Sequence, residues 1–282
     1  MQAPAPPSIQ SLRSSIEALT ARYPSAFVGV AYRDLATGDT LYIDADSLVH
    51  AASTMKIPVM MRLYGEADAG TLPLDRKLVV RNGFISIVDG SPYTLNAGDD
   101  SDSSMYQRIG DSVTVQELMQ HMITRSSNLA TNTLIALAQP DSINAMMRRF
   151  GASRMQVLRG VEDLKAFDKG MNNMATARDL ATLLAAIETG RAASPAATTA
   201  MRNTLLAQEF NEKIPAGLPP GVKVAHKTGE ITAGSHDAAI VYPPGRAPYI
   251  LVVLTRGIQQ DKAANSLIAN ISREVYAYAT RH

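Results

Sequence analysis

The sequence predicts a two-lobe α/β (α+β) fold, in which a five-stranded antiparallel sheet is flanked by helices and an all-helical lobe is inserted into it. Two observations predict this class. Strand-like runs fall near the two ends of the chain, two before about residue 45 and three after about residue 220, and helical spacing dominates between them. We therefore expect one domain, with a sheet lobe of about residues 8–52 and 218–282 and a helical lobe of about residues 53–217.

The first elements along the chain are a helix and a hairpin. Apolar residues recur at helical spacing over residues 8–22. Residues 27–33 and 40–44 are rich in β-branched and aromatic side chains, which favour strands. The turn Ala36-Thr37-Gly38-Asp39 separates them, so we expect a hairpin whose loop is longer than two residues.

The middle of the chain is predicted to be helical apart from one long loop. The expected helices cover residues 57–69, 113–138 (as one or two helices), 141–150 and 175–190. Residues 81–111 are rich in Gly, Ser and Asp and are expected to be mostly loop. A loop of that length is usually functional or disordered.

The C-terminal segment returns to strands over residues 222–228, 238–242 and 249–255, and a helix over residues 261–278 closes the chain. Pro243-Pro244-Gly245 provides the turn between the last two strands. A crevice between the sheet lobe and the helical lobe is then the natural place for a small-molecule ligand.

The composition excludes several classes of protein. The net charge is +1, from 27 basic and 26 acidic residues, so nucleic acid is not an expected partner. The chain has no cysteine, which excludes disulfides, thiol catalysis and cysteine-based metal sites. The five histidines have no metal-binding spacing, and no apolar run is long enough to span a membrane. We expect a monomer without cofactor or metal.

The N-terminal residues Met1–Pro7 contain neither a basic n-region nor an apolar h-region, so the sequence as written begins without a signal peptide. A start rich in proline and alanine before a helical pattern is typical of a mature exported protein to which an initiator Met has been added. We therefore expect a periplasmic or secreted protein, and a native cytosolic start is the alternative.

Three short motifs occur in an order typical of serine acyl-transfer enzymes: Ser53-Thr54-Met55-Lys56, Ser126-Ser127-Asn128 and Lys227-Thr228-Gly229. A serine hydroxyl needs a base beside it to act as a nucleophile, and positions i and i+3 share one face of a helix. Lys56 is therefore expected within reach of the Ser53 hydroxyl. The amine must be neutral to act as a base, and partial burial together with the second cation Lys227 would lower its pKa. The alternative for Ser53 is an N-cap serine.

The second and third motifs supply groups for proton transfer and substrate binding. The Ser126 hydroxyl can relay a proton from the amine to the leaving nitrogen, and the Asn128 amide can bond a substrate amide and the Lys56 ammonium. Lys227 gives a positive charge, and Thr228 gives a donor for a substrate carboxylate. Gly229 leaves room for close approach of the substrate. An ordinary strand end is the alternative for this third motif.

With the sequences around these motifs, at residues 114–118, 225–226 and 236–245, the chain resembles the class A β-lactamase-like serine hydrolases of the penicillin-recognising superfamily. The resemblance extends from Ser8 to the C-terminal helix. It implies the β-lactamase-like fold and an enzyme that opens the β-lactam amide through an acyl-enzyme. The small-molecule partner that it implies is a β-lactam or a peptidoglycan-like substrate. The roles that it implies are nucleophile for Ser53, base for Lys56, proton shuttle for Ser126, substrate binding for Asn128, Lys227, Thr228 and Gly229, and oxyanion-hole N–H groups for Ser53 and Glu230.

The resemblance also implies a role for Glu162, since a glutamate at about this distance after Ser126 activates the deacylating water in class A enzymes. The family has an asparagine four residues after that glutamate, where this chain has Ala166. Asn172 and Asn173 are the candidate replacements for the missing amide. A solvated surface acid is the alternative for Glu162.

Two further positions depart from the class A pattern. Ser127 stands where class A enzymes typically carry Asp, although penicillin-binding transpeptidases tolerate other residues there. Glu230 stands where the family usually has a small or hydroxyl residue, and strand alternation places its side chain on the face of Thr228. We expect this carboxylate to repel an anionic substrate.

Two other functions stay open from the sequence. One is a D-alanyl-D-alanine peptidase or esterase of the penicillin-binding type, which would acylate in the same way and deacylate slowly on β-lactams. The other is a non-catalytic penicillin-binding or sensor domain. His236-Asp237 also permits a Ser-His-Asp triad, but the chain has no Gly-x-Ser-x-Gly elbow to carry its serine.

Overall fold

The computed structural model describes residues 8–281, so the prediction made for Met1–Pro7 lies outside the described residues. In chain order the strands are β1 (Phe27–Asp34), β2 (Thr40–Ile43), β3 (Val49–His50), β4 (Lys77–Val79), β5 (Phe84–Ile85), β6 (Pro92–Tyr93), β7 (Ser112–Thr114), β8 (Met174–Ala175), β9 (Lys223–Ile231), β10 (Gly234–Tyr242) and β11 (Tyr249–Arg256).

The helices cover most of the segment between β2 and β9. In chain order they are α1 (Ile9–Thr20), α2 (Lys56–Asp68), α3 (Val115–Thr124), α4 (Asn128–Ala138), α5 (Pro140–Arg149), α6 (Leu164–Asp168), α7 (Ala177–Glu188), α8 (Pro195–Leu206) and α9 (Asp261–Ala279). Short 3₁₀ helices cover Ala52–Met55, Ser103–Arg108 and Pro215–Gly217.

A five-stranded sheet in the order β2-β1-β11-β10-β9 forms the centre of the fold, and every neighbouring pair is antiparallel. The strands from the beginning of the chain and those from its end form one sheet, because β1 pairs with β11 along its whole length. The predicted α/β fold with its five-stranded antiparallel sheet is therefore confirmed. The division of the chain into two lobes stays a prediction.

The sheet has an apolar core on each face, as the alternating side chains of β11 show. Leu251 and Val253 lie in a core shared with α1 and α9. Val252 and Leu254 lie in a second core, which continues into the helices of the middle segment. No helix within residues 8–281 combines the length and the apolar composition that crossing a bilayer requires.

The structure extends two predicted strands. β9 continues to Ile231, and β10 already begins at Gly234. The connection between them is a tight turn in which Ala233 has a φ of +55°, so both strands reach almost to the turn itself. The Gly, Glu and Asp residues of these extensions have low strand propensity, and pairing between the two strands outweighs it.

The sequence did not predict two of the helices, and one region predicted to be helical forms two separate helices. α6 is too short to show a period, and α8 is rich in alanine and threonine, although Ser194 caps it and Pro195 occupies its first turn. The predicted region 113–138 forms α3 and α4, which are separated at Ser126. Ser126 has a φ of +57°, which ends one helix before the next begins.

Candidate active site

Ser53 lies in the 3₁₀ helix Ala52–Met55, between β3 and α2. The residue before it, Ala52, has a φ of +45°, and its N–H donates to Nδ1 of His50 at 3.0 Å. The N-cap position of α2 is Met55, which makes no capping bond. The N-cap alternative for Ser53 is therefore wrong, and its side chain lines the cleft instead.

The Lys56 side chain is fully buried in the first turn of α2. Its Nζ donates to the Ser126 carbonyl oxygen at 2.6 Å, to Ser126 Oγ at 3.1 Å and to Asn128 Oδ1 at 2.9 Å. Within residues 8–281, no group forms a hydrogen bond with the Ser53 hydroxyl. The amine thus joins the first motif to the second, and the Ser53 hydroxyl stays free to turn towards a substrate.

The hydroxyl of Ser126 lies between two lysine amines. Lys227 Nζ donates to Ser126 Oγ at 3.0 Å and to the Thr228 carbonyl oxygen at 2.9 Å. A hydroxyl has one donor and two acceptor positions, so it can bond both amines at once. These contacts bring the three motifs, which lie far apart in the chain, into one connected group.

Both amines have pKa values below the usual range of lysine. Burial lowers the pKa of Lys56 to about 7, and the carboxylates of Asp100 and Glu162 oppose this shift. Burial, and after it the charge of Lys56, lowers the pKa of Lys227. Two buried positive charges that share one hydroxyl disfavour each other, so the pair favours a single charge near neutral pH. Burial, rather than the second cation named from the sequence, is the largest cause for Lys56.

Close packing of the backbone, rather than close approach of a substrate, explains the glycine at position 229. A Cβ built on Gly229 would lie 3.1 Å from the Ser53 nitrogen and 3.2 Å from both Ala52 Cβ and the Thr54 nitrogen. Any larger residue would push β9 away from the turn that carries Ser53. The glycine therefore keeps the backbone of β9 against the turn that carries Ser53.

The structure brings Glu162 into the wall of the cleft. Its Oε1 accepts a hydrogen bond from Asn128 Nδ2 at 2.7 Å, and Asn128 Oδ1 accepts the bond from Lys56. Glu162 has a φ of +61°, and burial raises its pKa although the bond from Asn128 opposes the shift. One amide thus connects the amine to the carboxylate.

The segment that carries Glu162 is closed by the buried side chain of Arg159. The guanidinium donates to the carbonyl oxygens of Met171 at 2.9 Å and Gly160 at 3.0 Å and to Asn172 Oδ1 at 2.8 Å. Asn173 Oδ1 accepts from the Arg159 nitrogen at 3.2 Å, and its Nδ2 donates to the Arg159 carbonyl at 2.9 Å. Both asparagines considered as replacements for the missing amide therefore hold the loop closed.

Two cavities meet at Ser53, and their walls differ. The apolar pocket, of about 350 Å³, is lined mainly by carbon; the polar pocket, of about 370 Å³, is lined mainly by oxygen and nitrogen. Side chains that distinguish the apolar pocket are His50, Val161, Leu164, Phe167 and Ile231. Side chains that distinguish the polar pocket are Asp99, Ser101, Ser126, Glu212, Lys213 and Thr228, and Glu230 borders both.

Sequence reasoning missed two residues of the site, because neither belongs to a motif. Lys213 is buried, and its Nζ donates to Glu230 Oε1 at 2.7 Å. The Glu230 carboxylate, which the sequence predicts to repel an anionic substrate, is therefore paired with a cation. The buried Asp100 accepts from the backbone nitrogens of Asn128 and Leu129 at 2.9 to 3.0 Å and so fixes the start of α4.

The His236-Asp237 pair does not form a triad with Ser53. His236 bonds the carbonyl oxygen of His50 through Nε2 and the nitrogen of Thr255 through Nδ1. Asp237 bonds the buried ring of His226 at 2.9 Å. Both residues therefore hold the sheet and the turn before Ser53.

Comparisons with known proteins agree on one family. The chain matches the model of the beta-lactamase enzyme family over residues 11–279. It is 30% identical to beta-lactamase AST-1 of Nocardia asteroides over 255 residues, which cover 89% of this chain and 78% of that protein. A solved ancestral class A beta-lactamase (GNCA) has a TM-score of 0.82 at 28% identity, covering 94% of this chain and 99% of that one. The structure of PBP-A has a TM-score of 0.82 at 27% identity, covering 96% of this chain and 97% of that one.

Proposed function

This chain belongs to the beta-lactamase enzyme family and is a class A β-lactamase-like serine hydrolase, and from that premise we propose how its own residues open a β-lactam amide. The observation that carries the proposal is the position of Ser126 Oγ, 3.1 Å from Lys56 Nζ and 3.0 Å from Lys227 Nζ. It offers a short path along which a proton that Lys56 has taken up can reach the leaving group.

Acylation begins with Ser53. Its oxygen attacks the carbonyl carbon of the β-lactam, and the neutral amine of Lys56 takes the hydroxyl proton. The carbon–nitrogen bond then breaks, Ser126 gives its proton to the departing nitrogen, and Lys56 returns a proton to Ser126. The lowered pKa of Lys56, about 7, supports this role because it lets the amine act as base and acid near neutral pH.

The negative charge that develops on the carbonyl oxygen needs donors already in place. We assign these to the backbone N–H groups of Ser53 and Glu230. The close approach that Gly229 permits between β9 and the Ser53 turn supports this assignment. Substitution of Gly229 would then weaken acylation through the backbone, without changing any side chain that meets the substrate.

Deacylation is assigned to Glu162. Its carboxylate lies in the cleft wall beside Ser53, and its raised pKa suits a general base that takes a proton from water. Glu162 takes a proton from water as the water oxygen attacks the ester carbon, and the bond to Ser53 Oγ then breaks. The proton held by Glu162 passes to the serine oxygen by way of Lys56, which restores both bases for the next cycle. Asn128, which bonds both Glu162 and Lys56, keeps the two bases in fixed relation.

Ala166 supports a second candidate, a peptidase or esterase that acylates well and deacylates β-lactams slowly. Its buried methyl group offers a water no hydrogen bond, and the nearby asparagine amides are bound to Arg159. Steady-state hydrolysis decides between the candidates when a penicillin, a D-alanyl-D-alanine peptide and a thioester analogue are compared. A β-lactamase turns over the penicillin fastest, a peptidase turns over the peptide or thioester fastest, and Ser53→Ala abolishes either activity.

We also propose that the enzyme acts as a monomer in the periplasm or as a secreted protein. Every side chain of the proposed mechanism comes from one chain, so assembly is not needed to complete the site. Peptidoglycan and incoming β-lactams are met outside the cytoplasmic membrane. Analytical ultracentrifugation and fractionation of cells that express the natural gene test the two statements separately.

A further inference from the structure

Lys213 is a buried cation that pairs with a carboxylate of the same chain. Its side chain is 1% exposed, and Nζ opens onto the polar pocket beside Ser53. Among the described residues, Glu230 supplies its one side-chain hydrogen bond, at 2.7 Å. A buried ammonium without a partner is costly, so Lys213 needs an anion at this point.

Glu230 supplies the anion that Lys213 needs, and its carboxylate stands where a substrate would enter. The Glu230 side chain is 59% exposed, and its carboxylate lies 2.7 Å from Lys213 Nζ. It follows Gly229 on β9 and borders the space next to Thr228. An anion subsite built by Lys213 and Thr228 therefore already contains a carboxylate.

The charges around the pocket add to this effect. Its wall carries the carboxylates of Asp99, Glu212 and Glu230, and among residues 8–281 Lys213 is the one lysine or arginine in that wall. A carboxylate on the substrate would have to displace Glu230 and then lie close to two further acids. An ester or another uncharged group would meet neither obstacle.

We propose that Glu230 selects the substrate class of this site: acyl donors with no free carboxylate on the leaving-group side are preferred over anionic ones. The proposal rests on the proposed acylation of Ser53. It adds that Lys213 belongs to a latent anion subsite, which the chain's own carboxylate occupies. Removing the charge of Glu230 opens that subsite to anionic β-lactams.

The test compares benzylpenicillin with its methyl ester, which differ in this one charge. We expect the parent protein to be acylated faster by the ester, and Glu230→Gln to raise the ratio of the acid rate to the ester rate about tenfold or more. Glutamine keeps an oxygen that accepts from Lys213.

Glu212→Gln is the matched control, since it removes a carboxylate of the same pocket that does not pair with Lys213, and a smaller gain is expected. Lys213→Met added to Glu230→Gln should cancel the gain.

A second measurement separates this inference from the proposed function. In a Ser53→Ala background, the Kd of each compound is measured by calorimetry with and without Glu230→Gln, so acylation is not needed. A ratio of acid to ester affinity that Glu230→Gln leaves unchanged overturns the inference, even if Ser53 is acylated normally. If affinity for the acid rises but neither compound labels the parent at Ser53, the anion subsite is upheld and the proposed acylation of Ser53 fails.

Discussion

The proposed acylation side of the site and its proposed deacylation side are built in different ways. Ser53, Lys56, Ser126 and Lys227 come from three distant segments and meet through direct hydrogen bonds or a shared turn. The deacylation side depends on one carboxylate, Glu162, on a loop that is closed through carbonyl groups and amides. The first kind of site is visible in motif spacing, and the second depends on how a loop folds.

Backbone strain is common to both sides. Ala52, Ser126 and Glu162 all have positive φ values, of +45°, +57° and +61°. Such residues cost about 1–3 kcal/mol each and persist where the surroundings hold them. Here His50 holds the first, the two lysines hold the second, and Asn128 holds the third. Strain of this kind fixes side-chain positions before a substrate binds.

The largest effect is expected from Ser53→Ala, which removes the shared centre of both sides. Covalent labelling by a β-lactam or a fluorophosphonate should disappear. The fold should be unchanged, since the Ser53 hydroxyl makes no hydrogen bond within the described residues, and thermal unfolding checks this. Labelling of the alanine variant at another serine would show that the nucleophile is misassigned.

Glu162→Gln should separate the two sides. Ser53 should still acylate at nearly the parent rate, whereas hydrolysis of the acyl-enzyme should slow by about 10²–10⁴-fold, the usual contribution of a general base. Single-turnover kinetics with a chromogenic cephalosporin measures both steps. Glu212→Gln, which removes another acid of the polar pocket, is the control. Equal deacylation in parent and variant would assign the base elsewhere, with Lys56 or Glu230 as the next candidates.

Lys227→Ala tests the electrostatics of the acylation side. Acylation needs neutral Lys56, so its rate should fall below the pKa of that amine. The positive charge of Lys227 disfavours protonated Lys56, so its removal should raise the Lys56 pKa and move the acidic limb of acylation to higher pH. The acylation rate against pH measures this. An unmoved limb would leave burial as the whole cause of the lowered pKa.

Asp100→Asn should have the opposite and smaller effect on the same limb. The Asp100 carboxylate raises the pKa of Lys56, so the neutral amide should move the acidic limb to lower pH. It should also destabilise the fold by about 1–3 kcal/mol, because Asn128 and Leu129 lose charged acceptors for their N–H groups. Loss of stability with an unmoved limb would make Asp100 purely structural.

Much of the fold could be predicted because the apolar residues of its sheet and of its long helices recur at regular spacings. α8 could not, since its alanines and threonines show little contrast between buried and exposed faces. In the site, Ser53, Lys56, Ser126 and Lys227 stand out because their chemistry demands particular residues at particular spacings. Lys213 could not be found, because its importance arises from burial and from the distance to Glu230, which only the folded chain defines.

The most direct test is the intact mass of the parent protein over time after mixing with benzylpenicillin. The mechanism assigned here predicts one adduct with the mass of a penicillin, mapped to the peptide that contains Ser53, which appears and then disappears as the substrate is consumed. The Glu162→Gln variant, treated in parallel, should retain the adduct. An adduct that persists equally in both proteins, or one that maps to another residue, would contradict the account.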